Sequence, residues 1–219
     1  MNSKNKKPAA KLKAIFWDND GVLVDTEEIF FRANQEILSA SGISLSFDQF
    51  KAVSLERGES VLRLAANPGT DEFYRLRRRR DDLYADLLAR EHLVIDGVRE
   101  VLEALRGKYT MGIVTSSGHE HFEIIHRRSG LLPFFQFVLT MKDCPNTKPH
   151  PEPYLKAIER SGLSPEECLV VEDSPRGLAS AVNAGLRCIV IPSKFTRSLD
   201  FQGAYKILND IRELPSALG

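Results

Sequence analysis

Asp18-Asn19-Asp20-Gly21-Val22 sets two carboxylates one residue apart, with a glycine directly after them. Three further polar clusters recur along the chain: Thr115-Ser116-Ser117-Gly118, Lys148-Pro149 and Glu172-Asp173-Ser174. Gathered into one cleft, they would supply four carboxylates, a lysine and a hydroxyl-rich seat for an anion ahead of a helix. Four carboxylates do not share a cleft unaided, because two like charges about 4 Å apart repel by about 4 kcal/mol even at a surface-like dielectric. A divalent cation is the simplest remedy, and an all-oxygen ligand set favours Mg2+ over zinc. A cation beside an anion seat and a lysine suits phosphoryl chemistry. One carboxylate would attack phosphorus to form an acyl phosphate, and another would protonate the leaving oxygen and later activate water. Cation and lysine would then stabilise the charge of the phosphoryl group in transfer.

The elements that must position these groups are short apolar runs ending in polar residues. Ala14-Ile15-Phe16-Trp17 precedes Asp18, Met111-Gly112-Ile113-Val114 precedes Thr115, and Cys168-Leu169-Val170-Val171 precedes Glu172. Phe137-Val138-Leu139 before Thr140 and Cys188-Ile189-Val190-Ile191 before Pro192 have the same texture. Runs apolar at every position read as parallel strands buried on both faces. Between them lie punctuated helical segments: Val98 to Arg106, Tyr154 to Ser161, and a helix from Ser174-Pro175 to Gly185. Ser164-Pro165-Glu166-Glu167 has the form of a capping box. Strands alternating with such helices predict an α/β fold with right-handed crossovers. In that fold ligands bind beyond the carboxyl ends of the strands, where the acids are delivered. Lys148 sits in a loop stiffened by Pro149, Pro151 and Pro153.

From about Thr26 to Leu93 the texture changes to helix throughout. Ile29, Ala33 and Ile37 repeat at helical spacing with Phe30 and Leu38 beside them, and Phe73, Leu76, Leu83, Tyr84 and Leu87 form a second stripe. Asn67-Pro68-Gly69 is the turn between them. The stretch reads as a helical insert after the first strand, with crossings near Val24-Thr26 and Leu93-Gly97 as hinges.

The 219 residues carry 30 Lys+Arg and 30 Asp+Glu, a formal net charge of +0, so no global field draws the chain to nucleic acid or an anionic membrane. No apolar run approaches membrane-spanning length. Met1 to Lys13 is lysine-bearing without an apolar core, hence not a secretory signal, and residues 1–12 are expected to be a disordered basic lead-in. Three cysteines without framework spacing fit reduced thiols in the cytoplasm. Arg77 to Arg80 point all round a helix and Asp81-Asp82 follow, so a solvated face is expected there rather than a nucleic-acid site. His119, His121 and His126 are expected to face solvent, the first two being spaced off a common helix face.

The four clusters, in this order and context, resemble the four motifs of the haloacid dehalogenase-like superfamily, over nearly the whole stretch from Ala14 to Pro192. The resemblance implies a Rossmann-like parallel sheet core with helices on both faces and a small α-helical cap inserted after the first strand. The core would comprise residues 13–25 and 95–219, the cap 26–94. It also implies that the first and fourth motif strands lie side by side. Asp18 would be the nucleophile and Asp20 the general acid/base. Thr115, Ser116 and Lys148 would hold the phosphoryl group. Asp18, the Asp20 carbonyl and Asp173 would bind Mg2+, with Glu172 in or near the shell. The second acid, Asp20, argues for phosphoryl transfer over dehalogenation.

Gly21-Val22-Leu23-Val24-Asp25-Thr26-Glu27 looks like the branch of sugar-phosphate phosphatases and β-phosphoglucomutase. Phe30 stands where the mutase carries a histidine, which favours hydrolysis over isomerisation. Arg57 resembles a sugar-phosphate-binding cap arginine, so Phe30 and Arg57 are the candidate specificity residues. The expected activity is a Mg2+-dependent phosphatase of a small phosphorylated metabolite, acting as a monomer or weak homodimer. The alternatives are a mutase, a phosphonatase using Lys51, the lone lysine of the insert, or a non-catalytic phosphate-binding module.

Overall fold

A computed structural model of the chain describes residues 10–218. The expected lead-in therefore lies outside the described residues except for 10–12, which carry no regular element. Six strands form one sheet: β1 (Ala14–Trp17), β2 (Thr110–Val114), β3 (Phe137–Leu139), β4 (Cys168–Glu172), β5 (Arg187–Val190) and β6 (Lys206–Ile207). Their spatial order is β3-β2-β1-β4-β5-β6 and every pairing is parallel. β1 thus lies between β2 and β4, and the expected adjacency of the first and fourth motif strands holds. The sheet order reverses about β1, which opens a crevice at its carboxyl end. The two-residue edge strand β6 was not foreseen. It is exposed, and carries no apolar run to announce it.

Period-two alternation divides β1 between two cores. Ile15 and Trp17 join a cluster with Val98, Val101, Leu102 and Leu105 of α4 (Val98–Leu105) and Phe122 and Ile125 of α5 (His119–Ser129). Ala14 and Phe16 face the other side, against Tyr154 and Ala157 of α6 (Glu152–Ser161) and Leu178 and Ala181 of α7 (Pro175–Asn183). Helices therefore cover both faces, and the inner strand β1 is apolar at every position because neither of its faces meets water. Ser174 caps α7 by accepting from Gly177 N at 3.1 Å, with Pro175 in the first turn. The capping box at Ser164 and Glu167 opens a single 3-10 turn that feeds β4.

Between β1 and α4 the chain forms α1 (Glu27–Ser39), α2 (Phe47–Phe50), a π-helical turn (Lys51–Glu56), a 3-10 turn (Val61–Leu64) and α3 (Asp71–Arg90). These elements build their own apolar cluster, with Ile37, Leu38, Phe50, Leu62, Phe73 and Leu76 buried in it. Ile29, Ala33, Tyr84 and Leu88 continue instead into the core beneath β1. Entry and exit are zipped together: Asp25 N donates to Leu93 O at 2.8 Å, Ile95 N donates to Leu23 O at 3.1 Å, and Val24 and Val94 form an antiparallel bridge.

Candidate active site

Asp18 follows β1 and Thr115 follows β2, while Glu172 ends β4, so the register of the three strands delivers these groups to one edge. Lys148 reaches them from its proline-stiffened loop. Its Nζ donates to Asp18 Oδ1 at 2.7 Å, Glu172 Oε1 at 2.6 Å and Val114 O at 2.8 Å. All three ammonium protons are thereby used. Asp18, Lys148, Glu172 and Asp173 are each at most 8% exposed, so their charges act through little water.

Burial pushes the Asp18 carboxyl from 3.8 up to about 8, and the Glu172 charge adds to this while Lys148 opposes it. Asp173 is raised well above the ordinary range by burial and then by Glu27 and Asp18. Burial works against the charge of Lys148, but contact with Asp18 and Glu172 outweighs it and holds the ammonium above its usual value. The cluster is short of positive charge.

Two further observations bear on a cation. Oxygens of Asp18, Glu172 and Asp173 lie within 4.8 Å of one another. Asp173 Oδ2 is buried and has no hydrogen-bond partner among the described residues, a costly state for a carboxylate oxygen unless something positive meets it. Glu172 belongs to the group by distance, yet its oxygens are already engaged. Oε1 accepts from Lys148 and from Tyr154 Oη at 2.8 Å, and Oε2 accepts from Asp173 N and Ser174 Oγ at 3.2 Å each. Two glycines make room for the acids. A Cβ on Gly21, whose φ is +83°, would lie 2.2 Å from Asp173 Oδ2, and one on Gly177 would lie 1.8 Å from Glu172 Cδ.

Asp20 is held differently. Thr26 Oγ1 donates to its Oδ1 at 2.6 Å, while Ser117 Oγ and Thr115 Oγ1 donate to its Oδ2 at 2.6 and 3.1 Å. Ser116 Oγ is buried without a partner among the described residues. Thr26 and Ser117 were not singled out from the sequence. Ser117 lay within the hydroxyl-rich stretch, whereas Thr26 is visible only as a hinge residue.

A cleft of about 930 Å³ opens over these groups, lined by Asp18, Asp20, Thr115, Ser116, Lys148 and Asp173 from the sheet side. Phe30, Phe50, Val61, Arg77, Arg80 and Tyr84 of the insert face them across it. Phe30 therefore borders the cleft. Arg57 is exposed, its Nε donates to Ala52 O at 3.0 Å, and it is not among the lining residues. Lys51 likewise lies outside the lining and donates to Ser198 Oγ at 2.8 Å.

The arginine run is solvated at Arg77 to Arg79 but not at Arg80, which is 7% exposed, lies over the Phe30 ring at 4.5 Å and donates to Asn34 Oδ1 at 3.3 Å. The signal was its position four residues from both Leu76 and Tyr84, on the buried stripe. The expectation of solvent-facing histidines fails at His126, which is 4% exposed and paired with Asn19 and Ser129. His119 is exposed beside Glu123, and His121 stands edge-on to Tyr84 with ring centroids 5.0 Å apart. Burial lowers His126 to about 4, leaving it neutral.

Against known proteins, residues 15–191 match the model of the haloacid dehalogenase-like hydrolases. YhcW of Bacillus subtilis (strain 168) is 30% identical, the match covering 94% of this chain and 96% of that protein. A phosphorylated carbohydrates phosphatase of Thermotoga maritima is 29% identical, covering 81% of this chain and 84% of that one. The crystal structure of a CbbY variant from Rhodobacter sphaeroides, in complex with xylulose-(1,5)bisphosphate, superposes with a TM-score of 0.80 at 26% identity, over 93% of this chain and 96% of that one. With its acid-bearing strand ends gathered about β1 and a family match running from β1 past β5, this chain belongs to the haloacid dehalogenase-like hydrolases.

Proposed function

We propose that the chain is a Mg2+-dependent phosphatase of a small phosphorylated metabolite, a sugar phosphate, working through an aspartyl phosphate on Asp18. The observation that carries this reading is the buried Asp18–Lys148–Glu172–Asp173 cluster, with Asp173 Oδ2 unpartnered, opening onto a cleft beside Asp20. Phosphatase action on carbohydrate phosphates in the Thermotoga relative and the sugar bisphosphate held by CbbY support the substrate class.

Asp18, Asp173 and the Asp20 main-chain carbonyl would hold Mg2+, with Glu172 beside them, and the bound cation would supply positive charge against the phosphoryl oxygens. The unpartnered Asp173 oxygen fits such a guest. A carboxylate oxygen of Asp18 attacks phosphorus as the bond to the leaving oxygen breaks, and Asp20 delivers a proton to that oxygen. Asp20, now a carboxylate, takes a proton from water, which attacks phosphorus and frees Asp18. Lys148 orients Asp18 and offsets charge on the phosphoryl group, Ser116 offers it the hydroxyl left unpartnered, and Thr115 would turn its own from Asp20 to do the same. The insert, residues 26–94, acts as a cap over the core, with Phe30, which borders the cleft, as its proposed specificity residue; Arg57 stands outside the lining. The three buried free thiols are consistent with the reducing cytoplasm. Among the described residues no helix is long and apolar enough to cross a membrane.

The test is a panel of phosphorylated metabolites assayed with and without Mg2+, following both free phosphate and isomer formation. The expected result is Mg2+-dependent release of phosphate that Asp18→Asn abolishes. Full turnover in Asp18→Asn overturns the assignment, and isomerisation without net phosphate release overturns hydrolysis.

A further inference from the structure

We propose that Asn19 and His126 form a buried positioning device for Asp20, fixing the direction in which its carboxyl group faces the leaving oxygen. This rests on the reading of Asp20 as general acid/base. Asn19 stands between the two motif aspartates and is fully buried. Its main-chain carbonyl gathers the turn that follows, accepting from Leu23 N at 2.8 Å and Val24 N at 3.1 Å. Its side-chain amide spans two partners. Nδ2 donates to Asp20 Oδ2 at 3.4 Å, and Oδ1 lies 2.8 Å from His126 Nε2.

The chemistry of the partners sets the direction of each bond. A carboxylate accepts, so the amide must turn its NH2 toward Asp20 and its oxygen toward His126. An amide oxygen cannot donate, so His126 must carry its proton on Nε2. Nδ1 is then a lone pair, and Ser129 Oγ, 2.9 Å away, donates to it. Ser129 Oγ also accepts from Leu131 N at 3.1 Å, which ties the far end to the main chain after α5. Three side chains thus run from the end of α5 to Asp20, joined by bonds whose directions are all set. Any rotation of one leaves a buried polar group unpaired. Thr26, Thr115 and Ser117 hold Asp20 from the cleft side. Asn19 adds a fourth side-chain contact, from a buried residue that does not line the cleft. A merely space-filling histidine would have no need of this donor order.

The experiment uses the full chain with Mg2+ and compares 4-nitrophenyl phosphate, whose leaving group needs little protonation, with phenyl phosphate, whose leaving group needs more. The ratio of their kcat/KM values reports proton delivery in the first step. His126→Leu is expected to lower kcat/KM for phenyl phosphate about tenfold more than for 4-nitrophenyl phosphate, a part of the 10²- to 10⁴-fold that acid catalysis supplies. Asn19→Leu should do the same, and the double variant should be no worse than either alone. His126→Gln, whose amide can donate from the Nε2 position, should restore the wild-type ratio to within about threefold, and His126→Asn, which is too short, should not. The Gln and Asn pair carries the test if the leucine variant does not fold. An equal loss on both substrates, or wild-type ratios in all variants, overturns the proposal. Asp20→Asn separates the two readings. If it leaves the ratio unchanged, the role of Asp20 itself fails. If it shifts the ratio and the His126 variants do not, only the positioning device fails.

Discussion

Replacing Gly177 by alanine puts one methyl group where Glu172 already lies. The new Cβ would sit 1.8 Å from Glu172 Cδ and within 2.0 Å of both carboxylate oxygens, where real Cβ contacts essentially never fall below 3.0 Å. Glu172 would have to retreat by roughly 1 Å through a close-packed interior. It is fully buried, and its two shortest bonds, 2.6 Å from Lys148 and 2.8 Å from Tyr154, would pass out of hydrogen-bonding range. Separating a buried ion pair costs about 3–5 kcal/mol. Alanine returns about 1 kcal/mol through its better helix propensity at this position in α7. The steric effect wins, leaving a net loss of about 2–4 kcal/mol, which lowers Tm by about 5–15 °C for a chain of this size. Thermal unfolding followed by circular dichroism measures this. Gly118→Ala is the control, because its φ of −61° suits any residue and the nearest atoms lie 3.9 Å from its Cβ. That variant should melt within about 3 °C of wild type. A Gly177→Ala protein with wild-type Tm would refute the claim that Glu172 is immobile.

Metal-free protein should lose stability as pH rises from about 6.5 to 8. Asp18 keeps its proton in the folded state up to about 8 but gives it up near 3.8 when unfolded, so folding is favoured at the acid end of that window. Glu27, raised to about 7 by burial, acts in the same sense, while His126, lowered to about 4, acts oppositely only below its ordinary 6.5. Asp18 alone contributes about 2 kcal/mol across the window, at about 1.36 kcal/mol per unit; urea unfolding in chelator that gives a flat or rising profile would contradict it. Arg77→Ala should raise KM about tenfold or more, the worth of one charge-assisted hydrogen bond, whereas Arg57→Ala should stay within about twofold. Kinetics showing the reverse order would return Arg57 to the cleft.

The legible part of the molecule is the part whose physics is local. Ala14–Trp17 and Cys168–Val171 are apolar at every position, a pattern that suits a doubly covered strand, and the polar residue after each run marks its carboxyl end. Strand-end punctuation marks Asp18, Thr115 and Asp173, while Lys148, in a loop well past β3, is named through the resemblance of the four ordered motifs. Arg80 and His126 read as solvent-facing because part of what makes their burial tolerable lies far along the chain, although Asp81, 2.7 Å from Arg80 Nε, is its sequence neighbour. Asn34 is 46 residues from Arg80, and Asn19 is 107 residues from His126. No window of sequence contains both ends of either pair. Glu172 was legible as an acid at the site, but its engagement by Tyr154 and Lys148 is a matter of which oxygen faces which donor, and spacing is silent on that.

The neck at Asp25 and Leu93 has a consequence for how the chain tolerates change. Everything between those two residues is an excursion whose ends are already tied, so the entropy of closing that loop is settled at the neck and grows only logarithmically with what is added inside it. Insertions, deletions or exchange of the helices beyond the neck leave the pairing of β1 with β2 and β4 intact so long as apolar groups replace Ile29, Ala33, Tyr84 and Leu88 in the shared core. The catalytic floor and the surface that meets the substrate can therefore drift at different rates under selection. In the laboratory the same two positions are the natural splice points for grafting a foreign lid onto this sheet.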